Sequence, residues 1–281
     1  MENQPDPRIA IWKERNEKLK AEWAAKEAAK TPEQRAAEAE EARQRKRAQA
    51  ICDPDCPKCG GSGTIVYPPL PGEENSRYGT CPNYRLIQIK QNAKRYGMVA
   101  NEIDGLDWPI VKDVGRAHFA MQHIQQVLEA GYGWVFLWGD HGQAKTLLLK
   151  IAIATSLRNG CEAAYTNMVG ILDNLKRAFD NNDGGDAENK IEWWQNLPFL
   201  AIDEFNRVKE SDWANERKFA LMDMRYVQAI RHETVTLIAS NTPPEQQDSY
   251  LRDRILDGRF EVIELKGPSV RKSIHDKDFM F

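Results

Sequence analysis

The sequence predicts an α/β fold with a parallel, helix-covered sheet of five strands. From Trp134 onward, short apolar runs alternate with amphipathic helical segments, the pattern of strands that are buried on both faces. The first run leads into a glycine-bearing turn, and the third ends in two adjacent carboxylates. A charged helical segment and a small cysteine-bearing module precede this sheet, so we divide the chain into residues 1–50, 51–98 and 99–281.

Composition limits the classes of protein that fit. The 281 residues carry a net charge of −3, which excludes a globally basic nucleic-acid binder but leaves room for a local basic surface. No apolar run is long enough to span a membrane, and Met1–Asp6 is too polar to begin a signal peptide. We therefore expect a cytoplasmic protein without a membrane partner.

Residues 1–50 are rich in alanine and charge, and we predict two helices, about 7–30 and 32–50. Thr31 precedes a proline and Gln34 completes a capping box, which marks the start of the second helix. The basic run Arg43–Arg47 is typical of a solvated helix face, with a nucleic-acid contact as the alternative.

Four of the five cysteines predict a structural zinc site: Cys52, Cys56, Cys59 and Cys81. The first three have the spacing C-x3-C-x2-C, which lets one tight turn direct several thiolates at one ion, and the fourth completes a tetrahedron. Four protein ligands leave no open position for catalysis, so we expect a docking role. Four unrelated buried cysteines are the alternative interpretation.

The segment after the first cysteines has weaker signals. We predict a strand at Thr64–Tyr67, a loop at Pro68–Gly79, a helical stretch at Tyr84–Tyr96 and a helix at Gly115–Ala130. Trp108 precedes a proline, and such residues favour extended backbone.

The last part of the chain carries the sheet. The predicted strands are Trp134–Trp138, Glu162–Thr166, Phe199–Ile202, Thr234–Ser240 and Glu261–Leu265. The predicted helices lie near residues 146–158, 169–181, 214–231 and 244–257, and Asn181–Lys190 is expected to be a polar loop.

The stretch GDHGQAKT has the layout of a phosphate-binding loop. Two glycines let backbone N–H groups face a polyphosphate, Lys145 supplies a positive charge, and the Thr146 hydroxyl is a ligand for Mg²⁺. Ala144 replaces the usual glycine and is tolerable at negative φ. A chance turn that ends in Lys-Thr is the alternative. The residues assigned to polyphosphate binding are Gly139, Asp140, His141, Gly142, Gln143, Ala144, Lys145, Thr146 and Leu147.

Two later strand ends complete the predicted site. Asp203 and Glu204 follow a buried strand, and ligands bind at that edge of a doubly wound sheet. We expect Asp203 to hold Mg²⁺, usually through water, and Glu204 to orient and deprotonate the attacking water. Asn241 ends the next strand and can hold that water, although it also suits a turn.

With these residues in place, the chain resembles the AAA+ family, and within it the DnaC/DnaI-type helicase loaders and the IstB-type transposition ATPases. The resemblance covers roughly residues 105–275 through the motifs GDHGQAKT, FLAIDE, LIASN, YLRDRILDGR and GPSVR. It implies a parallel sheet in the order 5-1-4-3-2, ATP bound at a subunit interface, and open or spiral homo-oligomers. Only ten residues follow Arg271, so we expect no full helical lid.

The family's functional residues transfer to matching positions. The Walker A loop is matched by Gly139, Gly142, Lys145 and Thr146, Walker B by Asp203 and Glu204, and sensor 1 by Asn241. Arg254 resembles the arginine finger, with Arg259 as the competing candidate and Arg252 as a third. Arg271 resembles the sensor 2 arginine.

The resemblance also implies partners. In the family the helices after the second strand contact single-stranded DNA, and Lys176, Arg177 and Phe179 offer cations beside an aromatic ring here. A packed Phe179 with exposed cations is the alternative. DnaI carries an N-terminal zinc module that docks on the helicase, which residues 1–98 resemble in arrangement.

The leading hypothesis is therefore an ATP-dependent loader of a replicative helicase. The alternatives are an IstB-like regulator that binds duplex DNA and a transposase, and a zinc adaptor that binds nucleotide without hydrolysing it.

Overall fold

The computed structural model describes residues 18, 29–112, 116–180, 184–209, 211–267 and 269. Two compact units divide the chain, Met1–Tyr84 and Arg85–Phe281. Nearly all of the helix expected at residues 7–30 lies outside the described residues.

In the first unit, helix α1 (Pro32–Ala48) begins where the capping signal predicts. The Thr31 hydroxyl accepts a hydrogen bond from the Gln34 backbone N–H, with the two atoms 3.2 Å apart. The Gln34 side chain in turn accepts one from the Thr31 backbone N–H at 3.0 Å. This reciprocal pair satisfies two N–H groups that a helix start leaves without partners, which confirms the predicted capping box.

Two antiparallel strands follow the first three cysteines, β1 (Thr64–Tyr67) and β2 (Arg77–Thr80). The prediction of β1 is confirmed, but the loop expected at Pro68–Gly79 was wrong at its end, where β2 begins. The reason lies at the next cysteine. The Cys81 backbone N–H donates to the carbonyl of Gly63 at 2.8 Å, which places the preceding residues beside β1.

The second unit contains alternating helices and strands. From the end of the first unit onward, the elements are α2 (Pro82–Gln91), a 3₁₀ turn at Ala93–Tyr96, α3 (Ala100–Gly105), a 3₁₀ turn at Trp108–Ile110, α4 (Ala117–Ala130), β3 (Gly133–Trp138), α5 (Lys145–Arg158), β4 (Ala163–Asn167), α6 (Met168–Asp180), α7 (Gly184–Asn196), β5 (Phe199–Asp203), α8 (Asp212–Ile230), β6 (Val235–Ser240), a 3₁₀ turn at Pro244–Gln246, α9 (Ser249–Ile255) and β7 (Glu261–Glu264). Across the described ranges, no helix has the length and apolarity needed to cross a membrane.

The five strands of this unit form one parallel sheet in the order β4-β5-β6-β3-β7. If the five strands are numbered 1 to 5 along the chain and read from the β7 edge, the order is 5-1-4-3-2, so the predicted fold class is confirmed. The register pairs Asn167 with Asp203 and Trp138 with Ser240. Because parallel strands end at the same edge, the phosphate loop and the carboxylate pair emerge on one side of the sheet.

Helices cover both faces of the sheet. Along β3, Val135 and Leu137 pack into the core shared with α4 and α5, whereas Trp134 and Phe136 pack into the core shared with α6, α8 and α9. All four side chains are essentially inaccessible to solvent. This alternation explains the continuous apolar run, because a strand with helices on both faces has no solvent-facing side.

Three local predictions were wrong. Trp108 lies in a 3₁₀ turn, since the Asp107 carboxylate accepts its backbone N–H at 2.9 Å and caps the turn. Much of the loop expected at Asn181–Lys190 belongs to α7, which buries Trp194 against the neighbouring helices. The helix expected at residues 244–257 is divided, because Asp248 caps a new helix by accepting the Tyr250 N–H at 2.8 Å.

One buried cation joins three elements of this unit. Arg225 on α8 is inaccessible to solvent. Its guanidinium donates to the carbonyls of Trp194, Gln195, Leu197 and Val235 and to the hydroxyl of Thr236. Burial lowers the pKa of Arg225 to about 9, which leaves it cationic at neutral pH. The side chain thus satisfies carbonyls at the end of α7 and fixes that helix to β6.

Candidate functional site

The loop after β3 requires glycine at two positions. Gly139 has φ 143° and Gly142 has φ 81°. A Cβ on Gly139 would lie 2.3 Å from the carbonyl oxygen of Leu265, and one on Gly142 would lie 2.1 Å from the Ser269 hydroxyl. Both distances are below van der Waals contact, so the loop backbone approaches its neighbours more closely than any other residue type permits.

Ala144 departs from the expectation for this loop. It has φ 62° and ψ 5°, in the left-handed region, and not the negative φ at which its methyl group would be tolerated. A non-glycine residue there costs about 1–2 kcal/mol. The strain lies directly before the first turn of α5, where it is held by the packing of the surrounding loop.

Lys145 is held inside the loop. Its ammonium donates to the carbonyl oxygens of Gly139 at 2.6 Å and Asp140 at 2.8 Å, and the residue is only 7% exposed. The loop therefore fixes a positive charge at the N-terminus of α5, where the helix dipole adds to it.

The remaining loop residues divide into two groups. Asp140 and His141 are exposed. Gln143 is partly buried, and its side-chain amide donates to the Gly267 carbonyl at 3.3 Å. Its Oε1 atom is buried and lacks a hydrogen-bond partner among the described residues. Leu147 packs against the hydrophobic core shared with α4 and α5, so its side chain anchors the start of α5 to that core.

Asp203 and Thr146, the predicted magnesium residues, are in direct contact. The Thr146 hydroxyl donates to Oδ2 of Asp203 at 2.6 Å, and the Glu204 backbone N–H donates to Oδ1 at 2.8 Å. Asp203 is 6% exposed. A hydroxyl and a carboxylate are hard oxygen donors of the kind that Mg²⁺ prefers, so the residues present fit this ion.

Sequence reasoning missed a third donor to Asp203. The Tyr165 hydroxyl donates to Oδ2 at 2.8 Å from the neighbouring strand β4. Burial and the nearby Asp203 carboxylate raise the pKa of Tyr165, which keeps its hydroxyl protonated. The available signal was a tyrosine two residues before the end of a strand, but its meaning depends on knowing that β4 lies beside β5.

Glu204, the predicted base, follows directly in an unusual conformation. Its φ is 46°, and one carboxylate oxygen accepts a hydrogen bond from Arg207 at 2.5 Å. The Glu204 side chain is 38% exposed and that of Arg207 is 68% exposed. Positive φ turns this side chain out of the strand direction and towards solvent at the sheet edge.

Asn241 follows directly after β6. Its backbone N–H donates to the Asn206 side chain at 3.1 Å, and the Ser240 hydroxyl donates to the same oxygen at 3.3 Å. Asn206 therefore ties the turn after β6 to the turn that carries Glu204. The contact supports the turn role of this segment and places Asn241 at the predicted edge.

The late arginines have different environments. Arg254 is bound to Asp223, with Nη2 and Oδ1 2.8 Å apart, and lies over the Tyr250 ring. Arg259 is bound to Asp257 at 2.6 Å and holds the pKa of that carboxyl well below its usual range. Arg252 is exposed on α9. Arg271 lies outside the described residues.

The predicted DNA-contacting side chains lie on α6. Lys176 and Arg177 are exposed, and Phe179 is 42% exposed. The Phe179 ring packs edge-on against Trp213, with centroids 6.3 Å apart, and the Arg217 guanidinium lies 5.9 Å from its centroid. Phe179 is thus partly packed against neighbouring side chains and partly exposed to solvent, which agrees in part with both the predicted DNA contact and the predicted packed ring.

The four cysteines of the first unit converge. The sulfur atoms of Cys52, Cys56, Cys59 and Cys81 lie within 4.8 Å of one another. The Sγ atoms of Cys56 and Cys81 are 3.8 Å apart. A tetrahedral zinc site with Zn–S bonds of about 2.3 Å has edges of about 3.8 Å, so this thiol cluster fits zinc.

The surroundings of the cluster favour a thiolate at one position. The backbone N–H groups of Lys58 and Cys59 lower the pKa of Cys56 to about 6, against the effect of burial. Burial, together with hydrogen bonds that the Cys52 thiol donates to Cys59 and Cys56, raises the pKa of Cys52 to about 12. The Asn83 side chain also donates to the Cys56 sulfur at 3.3 Å, as outer hydrogen bonds commonly do around metal-binding sulfur.

Comparison with known proteins yields similar structures only. No protein family matches the chain, and no curated protein matches it. AMPPCP-bound DnaA from Aquifex aeolicus is similar over 56% of this chain and 48% of that one, with 18% identity and a TM-score of 0.47. The chain thus spans about half the length of the DnaA structure.

Two further structures carry names that match the motif resemblance. The DnaC helicase loader is similar over 59% of this chain and 100% of that one, with 18% identity and a TM-score of 0.46. DnaI is similar over 61% of this chain and 93% of that one, with 17% identity and a TM-score of 0.48.

Proposed function

We propose that this chain is an ATPase of DNA replication that loads a replicative helicase onto single-stranded DNA. The observation that carries the ATPase part is the contact between Thr146 and Asp203. It joins the end of the phosphate loop to the carboxylate strand, so the two halves of a phosphoryl-transfer site meet at one point.

The residues around this contact have complementary roles. The loop N–H groups and Lys145 bind the phosphates of ATP, and the N-terminus of α5 adds its dipole. Bound Mg²⁺ would be held by Thr146 and Asp203 and would neutralise charge on the outer phosphates. Glu204 accepts a proton from the attacking water, and Asn241 orients that water.

We propose that hydrolysis requires a second copy of the chain. Arg254 or Arg259, with Arg252 as the third candidate, would reach the ATP of a neighbouring subunit, and Arg271 would contact the ATP of its own subunit. Arg254 is paired with Asp223 and Arg259 with Asp257, so whichever of these two arginines acts would first have to leave its carboxylate. Homo-oligomer formation would then depend on bound ATP.

The surface formed by Lys176, Arg177 and Phe179 is the proposed contact for single-stranded DNA. Exposed cations attract phosphates, and a half-exposed ring can stack on a base. This combination binds strands with little sequence preference, as a loader requires.

The proposed domain division assigns the helicase contact to the N-terminal part. In this proposal residues 1–50 are a charged, alanine-rich segment that the sequence predicts to be helical, residues 51–98 a zinc module, and residues 99–281 the ATPase domain. The convergence of four thiols supports a metal whose coordination is complete, and such a site stabilises a fold and does not catalyse.

A loading assay tests the proposal. The full chain is mixed with the hexameric replicative helicase of its host, circular single-stranded DNA and ATP, and unwinding of an annealed oligonucleotide is measured. We expect ATP-dependent stimulation that Lys145→Ala abolishes. Filaments on long duplex DNA without a helicase complex would instead identify a transposition regulator, and nucleotide binding without turnover would identify an adaptor.

A further inference from the structure

Asp203 accepts hydrogen bonds from two hydroxyl groups that lie on different parts of the fold. Thr146 reaches Oδ2 from the phosphate loop at 2.6 Å, and Tyr165 reaches the same oxygen from β4 at 2.8 Å. The Glu204 backbone N–H occupies Oδ1 at 2.8 Å. With donors on both oxygens, the rotation of this carboxylate about its Cβ–Cγ bond is fixed.

The Tyr165 hydroxyl is itself fixed by the parts of the chain around it. The Tyr165 backbone lies in the ladder between β4 and β5. Gly97 packs so closely against it that a Cβ on Gly97 would lie 1.7 Å from the Tyr165 carbonyl oxygen. On the ring, the Lys150 ammonium lies 5.2 Å from the centroid and is held by Glu102 at 2.6 Å.

Thr146 alone cannot fix the orientation of the Asp203 carboxylate. In the proposed site its hydroxyl oxygen is also a metal ligand, so Thr146 would serve the ion and the carboxylate together. Tyr165 lies on β4, a strand that does not carry the phosphate loop, so it holds Asp203 independently of that loop. A partner that orients a metal-binding carboxylate commonly affects metal affinity by about 10–100-fold.

We propose that Tyr165 is a positioning residue that orients the Asp203 carboxylate for Mg²⁺. This inference rests on the proposed ATPase function. Because Tyr165 would act through Asp203, its removal should change the dependence on Mg²⁺ more than the affinity for nucleotide alone.

The test is Tyr165→Phe in the full chain, which deletes only the hydroxyl. Equilibrium binding of a fluorescent non-hydrolysable ATP analogue is titrated with Mg²⁺ and repeated in EDTA. We expect the half-saturating Mg²⁺ concentration to rise about 10-fold and the affinity in EDTA to stay unchanged. The Mg²⁺ dependence of phosphate release should shift by a similar factor.

Tyr226→Phe is the matched control. Its hydroxyl donates to Asp257 at 2.7 Å, so this variant also loses a hydrogen bond between a tyrosine and an aspartate. It should leave the half-saturating Mg²⁺ concentration unchanged. If both variants melt at lower temperature but neither shifts the Mg²⁺ titration, Tyr165 is structural and the inference is overturned.

Asp203→Asn separates the two levels of the proposal. If Mg²⁺ strengthens analogue binding by the wild type and Asp203→Asn removes that effect, the metal site is real, and an unchanged titration for Tyr165→Phe contradicts the inference alone. If Mg²⁺ has no effect on the wild type, the proposed ATPase site itself fails.

Discussion

The Arg207 guanidinium donates a hydrogen bond to the Glu204 carboxylate, with Nη1 and Oε1 2.5 Å apart. A general base needs a free oxygen to accept the proton of the attacking water. Arg207 occupies one oxygen of Glu204, so the described conformation holds the proposed base in an ion pair.

Arg207→Ala should therefore raise the basal rate of phosphate release. Both side chains are substantially exposed, and such pairs contribute about 1 kcal/mol or less, so the increase should be at most about five-fold. Lys209→Ala removes an exposed cation from the same turn and should leave the rate unchanged. A fall in rate with Arg207→Ala would show that Arg207 assists the reaction.

Ala144→Gly should stabilise the protein. Glycine removes a left-handed cost of about 1–2 kcal/mol but adds about 0.5–1 kcal/mol of chain entropy cost on folding, so the free energy of unfolding should rise by about 0.75 kcal/mol and by at most about 1.5 kcal/mol. Ala220→Gly, at an exposed position within α8, should destabilise by about 1 kcal/mol. Chemical denaturation measures both, and a loss of stability with Ala144→Gly would contradict the observed φ.

Arg225→Met should destabilise the second unit by about 3 kcal/mol. The change removes five hydrogen bonds and leaves buried carbonyls without donors. This loss is larger than the desolvation cost that is saved when no charged group is buried. Thermal unfolding should then occur roughly 6–12 °C lower. Arg231→Met, exposed at the end of the same helix, should cost less than about 1 kcal/mol. Equal effects would remove any special role for Arg225.

Cys81→Ser should abolish metal binding by the first unit. The variant removes one of four converging thiols, and a tetrahedral site that loses a ligand loses most of its affinity. Metal analysis should find about one zinc per wild-type chain and much less in the variant. Cys161→Ser alters the fifth cysteine, which lies outside the cluster, and should retain the metal. Full metal content in Cys81→Ser would exclude the Cys₄ site.

The parallel strands could be predicted from sequence because each is an apolar run with helices on both sides. The strand Arg77–Thr80 could not, since its residues have no alternation and its position depends on the bond between Cys81 and Gly63. The same limit applies to α7, whose C-terminal carbonyls are satisfied by Arg225 from a helix distant in sequence.

The candidate site shows a similar division. Four site residues could be recognised from their neighbours in the sequence, because each comes directly after a predicted strand or a glycine-bearing turn. They are Lys145, Thr146, Asp203 and Glu204. The φ of Ala144 is set by closure of the loop, and the roles of Tyr165 and Arg207 depend on which side chains the fold brings near them. None of these three features has a local pattern.

The most direct test of the central proposal is Mg²⁺-dependent phosphate release from ATP by the full chain, beside equilibrium ATP binding. We expect the wild type to hydrolyse ATP, Lys145→Ala to lose binding, and Glu204→Gln to bind ATP while its rate falls by at least about 100-fold. A wild type that binds ATP without releasing phosphate in the presence of helicase and single-stranded DNA, or a Glu204→Gln variant with unchanged turnover, would contradict the proposal.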